Sequence, residues 1–124
     1  MEEIKFKFED LKVYQKSLDF INLIYKTCEK FPKEENYRLT SQFIRAANSI
    51  ALNIAEGSGD TNLQFNRFLQ IAIGSVKECV VCATIAKNQK YISFSEEKII
   101  RSYLEELSKM ITSLQKYLKS NTND

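Results

Sequence analysis

The stretch Arg45–Asp60, "RAANSIALNIAEGSGD", decides how the chain is read. It has the spacing of a helix that stops on glycine, yet it sets Arg45, Asn48, Asn53 and Glu56 among small apolar residues. Phe43, Ala47, Ile50 and Ile54 recur at three and four and form a core stripe. Gln42, Arg45, Ser49, Leu52 and Glu56 then make a second three-four series on the outward side, with Asn53 beside it. That series suits either a wet face or a seam against another helix. The alanines at 46, 47, 51 and 55 allow a second helix to come close, and polar neighbours could pair across such a contact.

Working outward, Gly57 and Gly59 bracket Ser58, where a left-handed residue closes a helix at little steric cost. Asp60 or Thr61 can cap the next helix, and "TNLQ" (Thr61 to Gln64) matches a capping box. Upstream, Leu11, Tyr14, Leu18, Ile21, Tyr25 and Cys28 form a helical stripe widened by Val13, Phe20 and Ile24. "FPKEEN" (31–36) ends it, because Pro32 disfavours helix at Phe31 but suits a first turn, where Glu34 and Glu35 meet the positive end of the new dipole. Downstream, Ser93 or Ser95 caps a last helix with Glu96 and Glu97 in its first turn. Its apolar series is Ile100, Tyr103, Leu107, Ile111, Leu114 and Leu118, flanked by Ile99, Leu104, Met110 and Tyr117.

The expected elements are helices at about 10–31, 33–56, 61–88 and 95–119, with a frayed tail at 120–124. Four helices joined by short loops most simply make an all-α, up-down-up-down antiparallel bundle in one domain spanning 1–124. Composition agrees: 124 residues, 44% apolar and 27% charged, with only three glycines and one proline, describe a globular helical chain. "MEEIKFKFED" (1–10) carries no apolar run of a signal peptide, and no stretch approaches the roughly 20 uncharged apolar residues of a membrane span. An odd number of cysteines, three, without an export signal points to reduced thiols and a cytoplasmic setting.

The third helix carries more apolar surface than one core needs. In "FLQIAIGSVKECVVCATIA" (68–86), Phe68, Ala72, Val76, Cys79, Ala83 and Ala86 share a stripe, while Ile71, Val81 and Ile85 extend around the cylinder. A helix apolar this far round is covered on more than one side. The cover is either a wide core face within the bundle or a second subunit.

At this point the residues resemble a known family. "FP" at 31–32, E-x-Y-x-L at 35–39, SI-x-x-NIAEG at 49–57 and IA-x-GS-x-x-E at 71–78, set within about Phe8 to Leu118, are similar to the 23S ribosomal RNA intervening-sequence proteins. The resemblance implies a homopentameric ring of four-helix bundles whose genes often lie inside intervening sequences of large-subunit ribosomal RNA. It also implies kinship with the accessory variability determinant of diversity-generating retroelements, a basic pentamer associated with a reverse transcriptase and nucleic acid. The motif maps onto Gln42, Arg45, Ser49, Asn53, Glu56, Gly57, Gly74, Ser75 and Glu78. These are read as structural and interface residues: Gly57 closes the helix, Gly74 permits close packing, and Arg45, Asn53, Glu56 and Glu78 form polar contacts between helices or subunits. The chain departs from the family where charge matters, with Ile44 where a first arginine is common and Asp60 where a basic residue often follows NIAEG.

A formal charge of +2 does not by itself predict nucleic-acid binding. Basic faces remain: Lys12, Lys16, Lys26 and Lys30 on the first helix, and Lys109, Lys116 and Lys119 in an acid-free stretch of the fourth. Each can neutralise a phosphate or stay solvated. "CVVC" (79–82) lies mid-helix among valines, and with no histidine and only Cys28 besides a zinc set is short of ligands; buried inert thiols are expected. The carboxylate pairs Glu34/Glu35, Glu96/Glu97 and Glu105/Glu106 belong to helix starts or an exposed face. No histidine base, phosphate loop or nucleophile motif is present. The expectation is therefore a non-enzyme without metal or cofactor, an oligomeric assembly module whose partners are further copies of itself, RNA or a nucleic-acid-processing protein. The alternative is a protein-binding scaffold that docks a partner enzyme without nucleic-acid contact.

Overall fold

The computed structural model describes residues 2–121, and among them it contains four α-helices and no strand. They are α1 (Lys12–Cys28), α2 (Leu39–Gly57), α3 (Asn62–Asn88) and α4 (Phe94–Ser120), with short 3-10 turns at Lys7–Asp10 and Lys33–Glu35. α2 packs on α1 and α3, α4 packs on α3 and α1, and among the described residues the backbones of the diagonal pairs stay apart. All four helices feed one apolar core, centred on the fully buried Phe20, Ile24, Phe43, Ile50, Ile54, Leu69, Leu104, Leu107 and Ile111. Of the tail expected to fray, residues 122–124 lie outside the described residues.

The start of the second helix differs from expectation. Lys33–Glu35 forms a separate 3-10 turn, Arg38 takes φ −124° and ψ −107°, and α2 begins only at Leu39. Nothing in "NYR" (36–38) breaks a helix by propensity; the break is tertiary. The Glu35 carboxylate accepts from the Leu39 backbone N–H at 3.3 Å and from the Tyr91 hydroxyl at 2.9 Å, while Phe31 and Tyr91 set their rings 5.5 Å apart. One carboxylate thus supplies the N-terminal acceptor that α2 otherwise lacks and ties it to the turn before α4.

The other starts follow local chemistry. Ser93 caps α4 through a reciprocal capping box with Glu96, and the Thr61 hydroxyl accepts from the Gln64 N–H at 3.2 Å. In α1 the buried line is Val13, Ser17, Phe20, Ile24, Thr27 and Cys28, one step round from the expected stripe. Leu18 and Tyr25 are partly exposed instead, and Ser17 and Thr27 are buried with their hydroxyls satisfied by Tyr14 O and Leu23 O within the helix.

The glycines correct the sequence reading. Gly57 is the last residue of α2, buried, and a Cβ there would stand 2.7 Å from Phe68 Cβ and 2.9 Å from the Phe65 ring. It is glycine because α3 passes too close, and the left-handed turn belongs to Gly59 at φ +88°. Gly74 is the reverse: a Cβ at that position would meet nothing within 4 Å, so close packing inside this chain does not account for it.

α3 is the one helix among the described residues long and apolar enough, by length and composition, to cross a membrane. Its apolarity has another use here. Phe65, Leu69, Ala72, Val76, Cys79, Cys82, Ala83 and Ala86 are buried inside the bundle, and Lys77 and Glu78 sit at mid-helix.

Gly57→Ala is expected to lower stability by about 1–3 kcal/mol, since the two phenylalanines must shift to admit one methyl. Thermal or urea unfolding of the variant checks it, and an unchanged midpoint would mean that α2 and α3 slide apart freely.

Candidate functional site

Where α2 crosses α3, the motif residues divide into two groups. Ser49, Asn53 and Ser75 are brought together. The Ser75 hydroxyl donates to Ser49 Oγ at 2.8 Å, and the Asn53 amide donates to Ser49 O at 2.8 Å and Ser49 Oγ at 3.0 Å. Ser75 is buried, and this triad satisfies its hydroxyl across the helix pair.

Arg45, Glu56 and Glu78 behave differently. All three are exposed and line an open groove of ≈ 800 Å³ over the α2–α3 pair together with Ser49, Leu52 and Asn53. None forms an ion pair with another described residue. Gln42 is exposed beside this groove without lining it. Leu52 is 65% exposed, and Ile71, Val81 and Ile85 remain exposed on α3. With Gly74 between them, an apolar and polar face runs along α2 and α3 that this chain leaves uncovered.

The candidate lysines also divide. Lys16 lies 3.1 Å from Glu106 and 4.4 Å from the Tyr103 ring centroid, Lys109 lies 3.8 Å from Glu105, and Lys30 pairs with Glu96. Lys30 is not on the first helix's face, because α1 ends at Cys28 and the chain turns there. Lys12, Lys26, Lys116 and Lys119 are exposed and form no ion pair with a described residue.

The carboxylate pairs serve the fold. Glu96 completes the α4 capping box, and the nearly buried Glu97 accepts from Arg101 Nε at 3.1 Å, while Arg101 also donates to Thr84 Oγ1 at 2.8 Å. The hydrogen bond to Glu35 holds the Tyr91 phenol above its ordinary range. Among the described residues no group of three His, Cys, Asp or Glu side chains is disposed to hold a metal ion. Cys28, Cys79 and Cys82 are buried free thiols. Burial pushes Cys28 up to about 12, with the neighbouring Cys82 adding to it, and pushes Cys82 up to about 11, with Glu78 adding to it. Cys79 is pushed up by burial as well.

The family model for the 23S rRNA-intervening sequence protein matches residues 9–113. The chain belongs to this family. No curated protein matches it. Among solved structures, a protein from Bacteroides thetaiotaomicron, described as of unknown function and from the S23 ribosomal protein family, superposes with a TM-score of 0.77. It is 24% identical, over 84% of this chain and 98% of the other. That likeness carries the fold of the family and no activity.

Sequence reasoning missed the contacts that join separate helices, namely Glu35 with Tyr91, Arg101 with Thr84, and Asn48 with the Tyr25 hydroxyl at 3.2 Å. It also missed a row of side-chain amides between α3 and α4, in which Asn62 reaches Asn121 O, Asn66 reaches Gln115 O and Gln115 reaches Gln70 Oε1. The available signal was the run of Asn and Gln at 62, 64, 66 and 70 in a stretch without acids.

Because the native thiols hold their protons above pH 9 while the unfolded ones lose them from about 9, the folded state binds more protons there. Stability is therefore expected to fall as pH rises from 9 towards 12. Thiol reagents at pH 8 should label the cysteines only as fast as the protein opens; instantaneous labelling of the native protein would refute the buried assignment.

Proposed function

We propose that this member of the 23S rRNA-intervening sequence protein family is a non-enzymatic assembly module of the cytoplasm. On this reading it is an antiparallel up-down four-helix bundle that forms a homo-oligomeric ring, a pentamer as the family resemblance implies, and holds RNA on its basic faces. The observation that carries the assembly is the uncovered α2–α3 face. A mid-helix glycine with open space around it costs about 1 kcal/mol relative to alanine, and it stands among exposed Leu52, Ile71 and Val81 beside the unpaired charges of Arg45, Glu56 and Glu78. A second copy crossing at Gly74 would cover the apolar residues and give Arg45 carboxylate partners. The RNA part is supported by lysines without intramolecular partners, multiplied around a ring.

Light scattering at low and high salt is expected to give a mass near five chains. Gly74→Leu should shift that mass towards the monomer while leaving helix content unchanged, because no neighbour in the same chain obstructs the side chain. Glu56→Ala should weaken assembly or lower the melting temperature. A monomeric wild type, or a Glu56→Ala protein unaltered in both respects, would remove the reading.

A further inference from the structure

The charges of the molecule are sorted along its helices. Residues 61–77, the first part of α3, carry Arg67 and Lys77 and no acid; residues 107–121, the last part of α4, carry Lys109, Lys116 and Lys119 and no acid. The fold lays these two stretches side by side. Asn62 Nδ2 reaches Asn121 O at 3.4 Å, Asn66 Nδ2 reaches Gln115 O at 3.4 Å, and Gln115 Nε2 reaches Gln70 Oε1 at 3.1 Å. These bonds floor an open groove of ≈ 260 Å³ edged by Arg67 and Lys119, and further along the same helix pair lies a second groove of ≈ 650 Å³ lined by Lys77, Arg101 and Lys109 together with one carboxylate, Glu105.

Lys77 lies fifteen helical steps from Asn62, so the two sections together span about 22 Å at 1.5 Å per residue. Arg67, Lys77 and Lys119 form no ion pair with a described residue, whereas Lys109 is held 3.8 Å from Glu105. Among the described residues no aromatic side chain lines either section. Cations without carboxylate neighbours attract phosphates, and side-chain amides can donate to a phosphate oxygen or ribose hydroxyl and accept from a ribose hydroxyl. Without a stacking ring the groove has no means of gripping bases, and one narrow groove with cations on both edges matches one backbone better than the two of a duplex.

We propose that the α3–α4 groove, between Asn62 and Lys77 on one side and Lys109 and Lys119 on the other, is the track along which this protein holds the backbone of single-stranded RNA without regard to sequence. This rests on the RNA part of the proposed function and names its place. The probe is a fluorescent 12-nucleotide oligouridylate, titrated against the full chain by anisotropy at several salt concentrations. The test variant is Arg67→Gln/Lys77→Gln/Lys119→Gln, and the charge-matched comparison is Lys33→Gln/Lys90→Gln/Lys98→Gln, three exposed positions away from the groove. Each lost phosphate contact reduces the slope of log K against log salt by about 0.7 for a single strand. The test variant is therefore expected to lose about 2 from the slope and about 100-fold in affinity at 0.1 M salt, with its melting temperature held, while the comparison keeps the wild-type slope. A wild type that binds and a test variant that retains the slope would overturn the track and leave the proposed function standing. Equal losses in both variants would overturn it too, in favour of bulk charge. No salt-dependent binding by the wild type would remove the RNA part of the proposed function and the track together.

Discussion

The close approach of α2 to α3 is the constraint from which the rest of the molecule follows. It is made by small residues: Gly57 sits under Phe65 and Phe68, and Ala46, Ala47 and Ala51 on α2 meet a helix whose inner side carries Ala72, Ala83 and Ala86, all buried. At that separation the Ser75 and Ser49 hydroxyls bond directly, and Asn53 joins them. The polar triad fixes the register of the pair, since a slide of one turn would leave the buried Ser75 hydroxyl without its interhelical partner. With the register fixed, the outward residues of α2 and Glu78 of α3 line a common groove. The site is thus a consequence of packing, built from side chains that the core does not use.

Charge is distributed by the same logic. The carboxylates of α4 are engaged in caps and ion pairs: Glu96 at the helix start, Glu97 with Arg101, Glu105 with Lys109, Glu106 with Lys16. Such surface pairs contribute little to stability, yet they settle which cations remain available. A chain with a net charge of only +2 can therefore present faces that are locally basic, because the first part of α3 and the last part of α4 hold no acid. Net charge underestimates what a sorted surface can attract.

Much of this architecture was legible in the sequence. The three-four spacing of Phe43, Ala47, Ile50 and Ile54 identified a stripe that is fully buried, and Ser93 followed by Glu96 marked the start of α4. Two kinds of feature escaped. The first is tertiary override of local pattern: the helix expected from Lys33 starts at Leu39 because Glu35 turns its carboxylate to Leu39 N–H and Tyr91, partners that no local rule supplies. The second is the reason for a glycine. Both Gly57 and Gly74 sit in helical sequence, and only the neighbouring helix distinguishes a position with no room for a methyl from one with nothing near it. The motif residues were legible as a group, but their division into the satisfied Ser49, Asn53 and Ser75 and the unpaired Arg45, Glu56 and Glu78 depends on distances across the pair.

The geometry of α3 also determines whether assembly and RNA binding, as proposed, can coexist. Positions 67, 71, 74, 78, 81 and 85 form one line along the helix, and 66, 70, 73, 77, 80 and 84 form the line beside it, displaced by about 100°. The first holds Ile71, Gly74, Glu78 and Val81 of the uncovered face; the second holds Asn66 and Gln70 of the amide-floored groove and Lys77 of the groove further along. Arg67 stands at the end of the first line while still lining the groove, so it is the residue at which the two faces meet. A subunit docked at Gly74 would thus approach the track from its edge without filling it, and each copy would keep its own groove. Weak contacts on one short track then gain from repetition, since a strand that engages one groove is held at high effective concentration for the next. An assembly module needs no deep pocket to bind RNA usefully if its fold separates the face that builds the ring from the face that meets the ligand.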